Sequence, residues 1–134
     1  MITKQFTLYL ENKPGVLASV TNKLADARVN LEGISVAEST DVAIVQIVVD
    51  SAMKTQRVLN KIGIPFSMQN VALVHLENKP GALAKIATKL AKSGIHINYI
   101  YATGCTCNHG CKSFVVISSS NLRKVEQTWK AISK

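Results

Sequence analysis

Acidic side chains are scarce in this chain: eight Asp and Glu stand against sixteen Lys and Arg among 134 residues. They fall mostly at expected strand ends and turns, which leaves little for acid–base chemistry. Aromatic residues make up 5%, and three of the sixteen basic residues are Arg. The net charge of +8 therefore comes with few groups that stack on bases or read them, and nucleic acid is not the expected partner. No apolar run approaches the roughly 20 residues of a membrane helix, so no membrane span is expected. The start, Met1-Ile2-Thr3-Lys4-Gln5, lacks the charged and apolar regions of a secretory signal, and a soluble cytoplasmic protein is the expectation. The three His are scattered at His75, His96 and His109, and no Gly-rich phosphate loop is present. No Ser-His-Asp or Cys-His arrangement can be argued from spacing. No catalytic residue, no cofactor and no enzymatic activity are expected.

What the chain does have is a repeat. Leu10-Glu11-Asn12-Lys13-Pro14-Gly15 returns 66 residues later as Leu76-Glu77-Asn78-Lys79-Pro80-Gly81. Leu17-Ala18 matches Leu83-Ala84, and Lys23-Leu24-Ala25 matches Lys89-Leu90-Ala91. The chain is two copies of one unit, expected at 1–70 and 71–134. Units of this size bury little surface alone, so the copies are expected to share an interface. Charge is divided unevenly between them. Residues 1–65 hold seven basic and six acidic side chains; residues 66–134 hold nine and two. Lys85, Lys89 and Lys92 recur at helical spacing, which reads as a solvated helix face.

The order of elements follows from periodicity. Phe6, Leu8 and Leu10 alternate with Thr7 and Tyr9; Ala72, Val74 and Leu76 alternate with Leu73 and His75. Both read as strands. After each Asn-Lys-Pro-Gly loop, apolar residues fall at i, i+3, i+7: Leu17, Val20, Leu24 and then Leu83, Ile86, Leu90. These predict amphipathic helices with one apolar face. Second strands are expected at 30–37 and 96–103. Apolar third strands follow at 42–49 and 114–117, central in their sheets. Second helices are expected at about 52–62 and 122–132, the first stopped by Gly63 and Pro65. A short closing strand, 65–70, runs almost directly into 71–76.

The order is βαββαβ, twice. The fold class is α+β: two tandem ferredoxin-like units, each an antiparallel sheet with its helices on one face. The apolar run Ala43-Ile44-Val45 predicts a cover over the other face as well, a second sheet or another chain. The sequence runs out where the second helix of the second unit is expected to end, so that unit is expected to be without its last strand. The edge of 71–76 is then expected to be open, with a partner copy in a homodimer or larger homo-oligomer supplying the pairing.

The loop kept twice sits at a helix N-terminus, where unpaired N–H groups and the helix dipole suit a carboxylate. Gly15 and Gly81 allow close approach to the backbone. The amides of Asn12 and Asn78 both donate and accept, which suits a zwitterion. The plain alternative is that Asn-Lys-Pro-Gly is only a turn.

The pattern of strand, Glu-Asn-Lys-Pro-Gly-x-Leu, helix and Val29-Asn30-Leu31 resembles the ACT domain, an amino-acid-sensing module of regulated metabolic enzymes. The second copy carries it at 77–83 and at Ile95-His96-Ile97. The loop is similar to the Glu-Asn-Arg-Pro-Gly of the serine-sensing domain of phosphoglycerate dehydrogenases. The resemblance implies a non-catalytic regulator whose ligand, a small amino acid, lies at the seam between two ACT units. It implies ligand contacts from Asn12 and Asn30 in the first copy, with the backbone of Gly15, Val16 and Leu17. In the second copy the matching residues are Asn78, Gly81, Ala82 and Leu83, with His96 in place of the second Asn. A separate metabolic enzyme or regulator would receive the signal.

Cysteine is confined to one loop: Cys105, Cys107 and Cys111, with His109 among them. The first unit has only 38–41 there, so the cluster is an addition. Soft ligands of this kind fit Zn or Cu(I). Yet Cys105 and Cys107 on an extended strand stand roughly 6.5 Å apart by the rise per residue, too far to share a metal at about 2.3 Å per Zn–S bond. A looped backbone closes that gap. A disulfide such as Cys107–Cys111, leaving one odd thiol, and inert reduced thiols are the other readings. A metal- or redox-responsive protein acting through this loop is thus the alternative function.

Overall fold

The protein is described here from a computed structural model, which covers residues 1–103 and 113–132. The elements in chain order are β1 (Ile2–Glu11), α1 (Val16–Asp26), β2 (Leu31–Glu38), β3 (Val42–Val49), α2 (Ala52–Ile62), β4 (Phe66–Leu76), α3 (Ala82–Lys92), β5 (Ile97–Ala102), β6 (Ser113–Ser119) and α4 (Leu122–Ile132). Among the described residues six strands and four helices make an α+β fold of two ferredoxin-like units. One compact unit is Lys4–Gln69; the other is Met1–Thr3 together with Asn70–Lys134. Among the described residues no helix is long and apolar enough to cross a membrane.

In the first unit, β3 lies between β1 and β2, antiparallel to both, with Leu8 opposite Val45 and Val36 opposite Val45 on the other side. Strand alternation sends Phe6, Leu8, Leu10, Val45, Ile47 and Val49 to one face. There they meet Val20 and Leu24 of α1 and Leu59 of α2 in a single buried cluster. Both helices therefore cover the same face. α2 starts at Ser51, whose hydroxyl accepts from the Lys54 N–H, and stops at Gly63 in the left-handed region. The expected bounds of β3, α2 and α4 all coincide with those observed.

The second unit repeats this with β6 between β4 and β5. Ala72, Val74, Val115 and Ile117 meet Ile86, Leu90 and Val125 in its own core. In both units the opposite face is also buried in places: Val48 in the first, Val71 and Val116 in the second. In the first it carries a polar network as well. The Gln5 amide donates to Thr7 and Gln69, the Thr7 hydroxyl donates to Gln69 at 2.7 Å, and the Gln69 amide donates to Ser67.

Several details differ from the sequence reading, among them the following. The closing strand expected at 65–70 and the strand at 71–76 are one continuous β4. β2 and β5 start one residue later than expected, leaving Asn30 and His96 just ahead of their strands. Leu17 is not a core residue: it is 38% exposed, and Leu83 is 46% exposed. Val16 packs on the core instead, because 16, 20 and 24 follow the i, i+4, i+8 row that faces the sheet. Finally, the edge expected to be open at 71–76 is closed at Leu73. The Leu73 N–H donates to the Met1 carbonyl at 2.7 Å, and the Met1 amino group donates to the Leu73 carbonyl at 2.9 Å. The chain's own first residues, not a partner copy, pair at that position.

Candidate functional site

The two loops are built alike. Lys13 N–H donates to the Glu11 carbonyl at 2.9 Å and Lys79 N–H to the Glu77 carbonyl at 3.0 Å. The side chains close the same turn with ion pairs, Lys13–Glu11 at 3.0 Å and Lys79–Glu77 at 2.6 Å. The Lys79 ammonium, by its hydrogen bond first and its charge second, holds the Glu77 carboxyl below its ordinary value of 4.5. Gly15 and Gly81 both take φ of +87°, and a Cβ on either would meet nothing within 4 Å. Glycine is thus required by the backbone angle, and the space in front of it is open.

The starts of the four helices fall into two kinds. α2 is capped by Ser51 and α4 by Asn121, whose side chain accepts from the Lys124 N–H at 3.2 Å. α1 and α3, the two helices that follow the repeated loop, have no side-chain cap. A missing cap forgoes about 1 kcal/mol of helix stability. It leaves first-turn N–H groups and the positive end of the dipole available to an outside acceptor.

The residues expected at the site do not all converge. Asn12 lies at the far end of β1, where its amide donates to the Ser39 carbonyl at 3.3 Å and its N–H to the Asp41 carbonyl. Asn30 lies at the near end of β2, its N–H on the Asp50 carboxylate at 2.9 Å. β2 runs between them, a length of roughly 23 Å at about 3.3 Å per residue. The second unit has the same separation: Asn78 follows β4, while the His96 carbonyl accepts from Ser119 at the opposite end of β5 and β6. Within one unit, then, the loop Asn and the residue opening the second strand belong to different ends of the sheet.

A cavity of about 410 Å³ adjoins the second loop. Asn78, Ala82 and Leu83 line it on the loop side, with Thr103, Ser113 and Phe114 across from them. The Thr103 hydroxyl accepts from the Phe114 N–H at 3.1 Å, which leaves its own proton free to donate. In the first unit a cavity of about 460 Å³ touches Gly15 and Val16 from the α1 side, near Ile62 and Ile64.

A family model for the ACT domain pair matches residues 1–129. The chain belongs to the ACT family. This ACT pair is similar over its length to several solved structures. Protein BT0572 from Bacteroides thetaiotaomicron is 32% identical, with 99% of this chain and 90% of that one covered and a TM-score of 0.86. The ligand-free regulatory subunit of aspartate kinase from Thermus thermophilus is 17% identical, with 98% and 94% covered and a TM-score of 0.69. The corresponding subunit from Thermus flavus is also 17% identical, with 100% and 96% covered and a TM-score of 0.62. At that identity the two subunits share the fold alone. No curated protein matches the chain.

In this ACT pair, sequence reasoning missed Thr103 and Ser113. Neither carries a motif, and both enter the site only because β5 and β6 pair beside the loop. The cluster of Cys105, Cys107, His109 and Cys111 lies outside the described residues. Among the described residues no group of three or more His, Cys, Asp or Glu side chains is placed to hold a metal ion.

Proposed function

We propose that this ACT pair is a non-catalytic cytoplasmic regulator that binds a small amino acid at the second Asn-Lys-Pro-Gly loop. The observation that carries the reading is the contrast between helix starts. Among the described residues only the helices after the two loops lack a side-chain cap, and α3 opens beside a 410 Å³ cavity lined by Asn78. A ligand carboxylate on the first turn of α3 takes the place of the missing cap. The Asn78 amide and the Thr103 hydroxyl serve the polar groups of the amino acid, and the exposed Leu83 covers its side chain. The first loop is the weaker of the two, because one N–H of the Asn12 amide is already given to the Ser39 carbonyl.

The bound state is passed to a separate metabolic enzyme or regulator, and the active species is a homodimer. Edge strand β2 supports the second part. Ile34 and Val36 stand 43% and 50% exposed on it, beside an unpaired backbone edge. Two copies joined β2 to β2 would cover both. A thermal-shift screen of the twenty amino acids tests the ligand claim, since a ligand that binds only the folded state raises the melting temperature. One or a few small amino acids should give a concentration-dependent rise. Twenty flat responses at millimolar ligand would defeat the reading.

A further inference from the structure

We propose that the outer face of α3 and α4 is a docking surface for an acidic protein. Its centre is a row of three lysines on α3, Lys85, Lys89 and Lys92, about 10 Å long at about 1.5 Å of rise per residue. Spacing alone makes them a solvated face; the repeat adds a comparison. α1 and α3 are the same helix in the two copies, and the three lysines stand where α1 carries Ser19, Lys23 and Asp26. All six residues are exposed. α1 folds with no net charge, so the fold does not call for three lysines at these positions. Like charges repel at both the i, i+4 and the i, i+3 spacing. α3 nevertheless keeps all three, with no acid anywhere in the helix.

The neighbouring helix extends the row. α3 and α4 each return along the strand before them, and β4 and β6 are antiparallel, so the two helices run in opposite directions. Trp129 and Ile132 at the end of α4 share a cavity with Ala82 and Lys85 at the start of α3. The lysine row therefore lies on the α4 side of α3, and the exposed Arg123 and Lys124 at the start of α4 stand toward Lys92. The acids of the second unit face other cations. Glu77 meets Lys79 at 2.6 Å, and Glu126 meets the Met1 amino group at 3.0 Å and Lys130 at 3.9 Å. In the first unit α2 carries Lys54, Arg57 and Lys61, but α1 beside it adds no net charge.

The chemistry of this face selects its partner. Apart from Arg123 its cations are lysines, point charges without the planar fork that grips phosphates and bases. Trp129, the aromatic residue of the two helices, packs on the core and is not available for base stacking. A helix lying in a membrane interface sets bulky apolar residues against the lipid. Here the exposed residues between the lysines are Ala84, Thr88 and Ala91, and the exposed Leu83 lies about 200° around α3 from Lys85. A row of Asp or Glu carboxylates on a protein complements a row of lysines over small residues, and such pairing sets orientation and association rate.

Fluorescence anisotropy with a labelled oligo-glutamate peptide at low salt tests this, with oligodeoxythymidine and phosphatidylserine vesicles as rival probes. Native protein should bind the peptide saturably, and more weakly as salt screens the pairing. Lys85→Ser with Lys92→Asp installs the residues of the first copy and should weaken binding at least about tenfold. Lys85→Gln with Lys92→Gln, which only removes charge, should weaken it in the same direction. Lys54→Ser with Lys61→Asp makes the same change of charge on α2 and should leave the affinity within about threefold. The proposal is overturned if the peptide does not bind saturably, or if the α2 variant loses as much as the α3 variant, which would make net charge the whole effect. Tighter binding of oligodeoxythymidine or of the vesicles overturns it too, and would give the face to nucleic acid or to a membrane. The titration contains no amino acid, so its outcome is independent of the thermal screen of the Asn78 loop.

Discussion

The Trp129 indole N–H donates to the backbone carbonyl of His75 across 2.6 Å, tying α4 to the edge of β4. It stands where the first unit uses strand backbone, and it satisfies a half-buried carbonyl that would otherwise lack a partner. Replacing Trp129 with Phe keeps most of the apolar contact and removes the donor. The expected cost is about 1–3 kcal/mol, the penalty of an orphaned polar group. Urea denaturation followed by circular dichroism measures it; an unchanged midpoint would mean that the bond contributes nothing.

Arg28 takes φ of +60°, a conformation that L side chains rarely adopt, and its counterpart in the second copy is Gly94 at φ of +70°. The repeat thus contains its own comparison. Arg28→Gly should stabilise the first unit by roughly 0.5–1 kcal/mol, the left-handed strain relieved less the added chain entropy of glycine. Gly94→Ala should destabilise the second by a similar amount. Opposite shifts of the denaturation midpoint are the predicted result.

Much of this architecture is legible in the sequence, and the exceptions have physical causes. Val42–Val49 is an almost unbroken Val- and Ile-rich apolar run and Ala52–Ile62 carries a period-3.6 pattern, and their bounds could be read directly. The start of β1 could not. Ile2-Thr3-Lys4-Gln5 looks too polar for a strand, because the partners that make a buried Gln5 acceptable, Thr7 and Gln69, are brought together only by the fold. For the same reason the pairing of Met1 with Leu73 was out of reach. Of the candidate site, the loop was visible through its repetition, while Thr103 and Ser113 depend on strand pairing. The distance between Asn12 and Asn30 follows from the parallel course of β1 and β2, which a motif cannot express.

The Glu77 carboxyl is held below its ordinary value of 4.5 by Lys79. In a side-chain carboxyl NMR titration its midpoint should lie below that of a free Glu, and Lys79→Ala should return it upward. The sign for stability follows. A lowered folded-state value means that the pair contributes above the unfolded-state value and loses its contribution as pH falls through the folded one. Both side chains are exposed, so the midpoint, not the melting temperature, is the sensitive readout. A midpoint that Lys79→Ala leaves in place would contradict the pairing.

Ile34→Lys places a charge on the exposed edge of β2. If two copies join there, sedimentation velocity at tens of micromolar should show a dimer for the native protein and a monomer for the variant. A native monomer under those conditions, or a variant that still dimerises, would exclude this edge as the interface.

The central claim is that the uncapped start of α3, with Asn78 beside it, holds an amino acid. Isothermal titration of the best amino acid from the thermal screen, into native protein and into Asn78→Ala, tests it most directly. Native protein should bind saturably, and Asn78→Ala should bind at least about tenfold more weakly, as expected for losing hydrogen bonds to a charged ligand. Equal affinity in the two proteins would show that the repeated loop is a turn and that the ligand, if any, binds elsewhere.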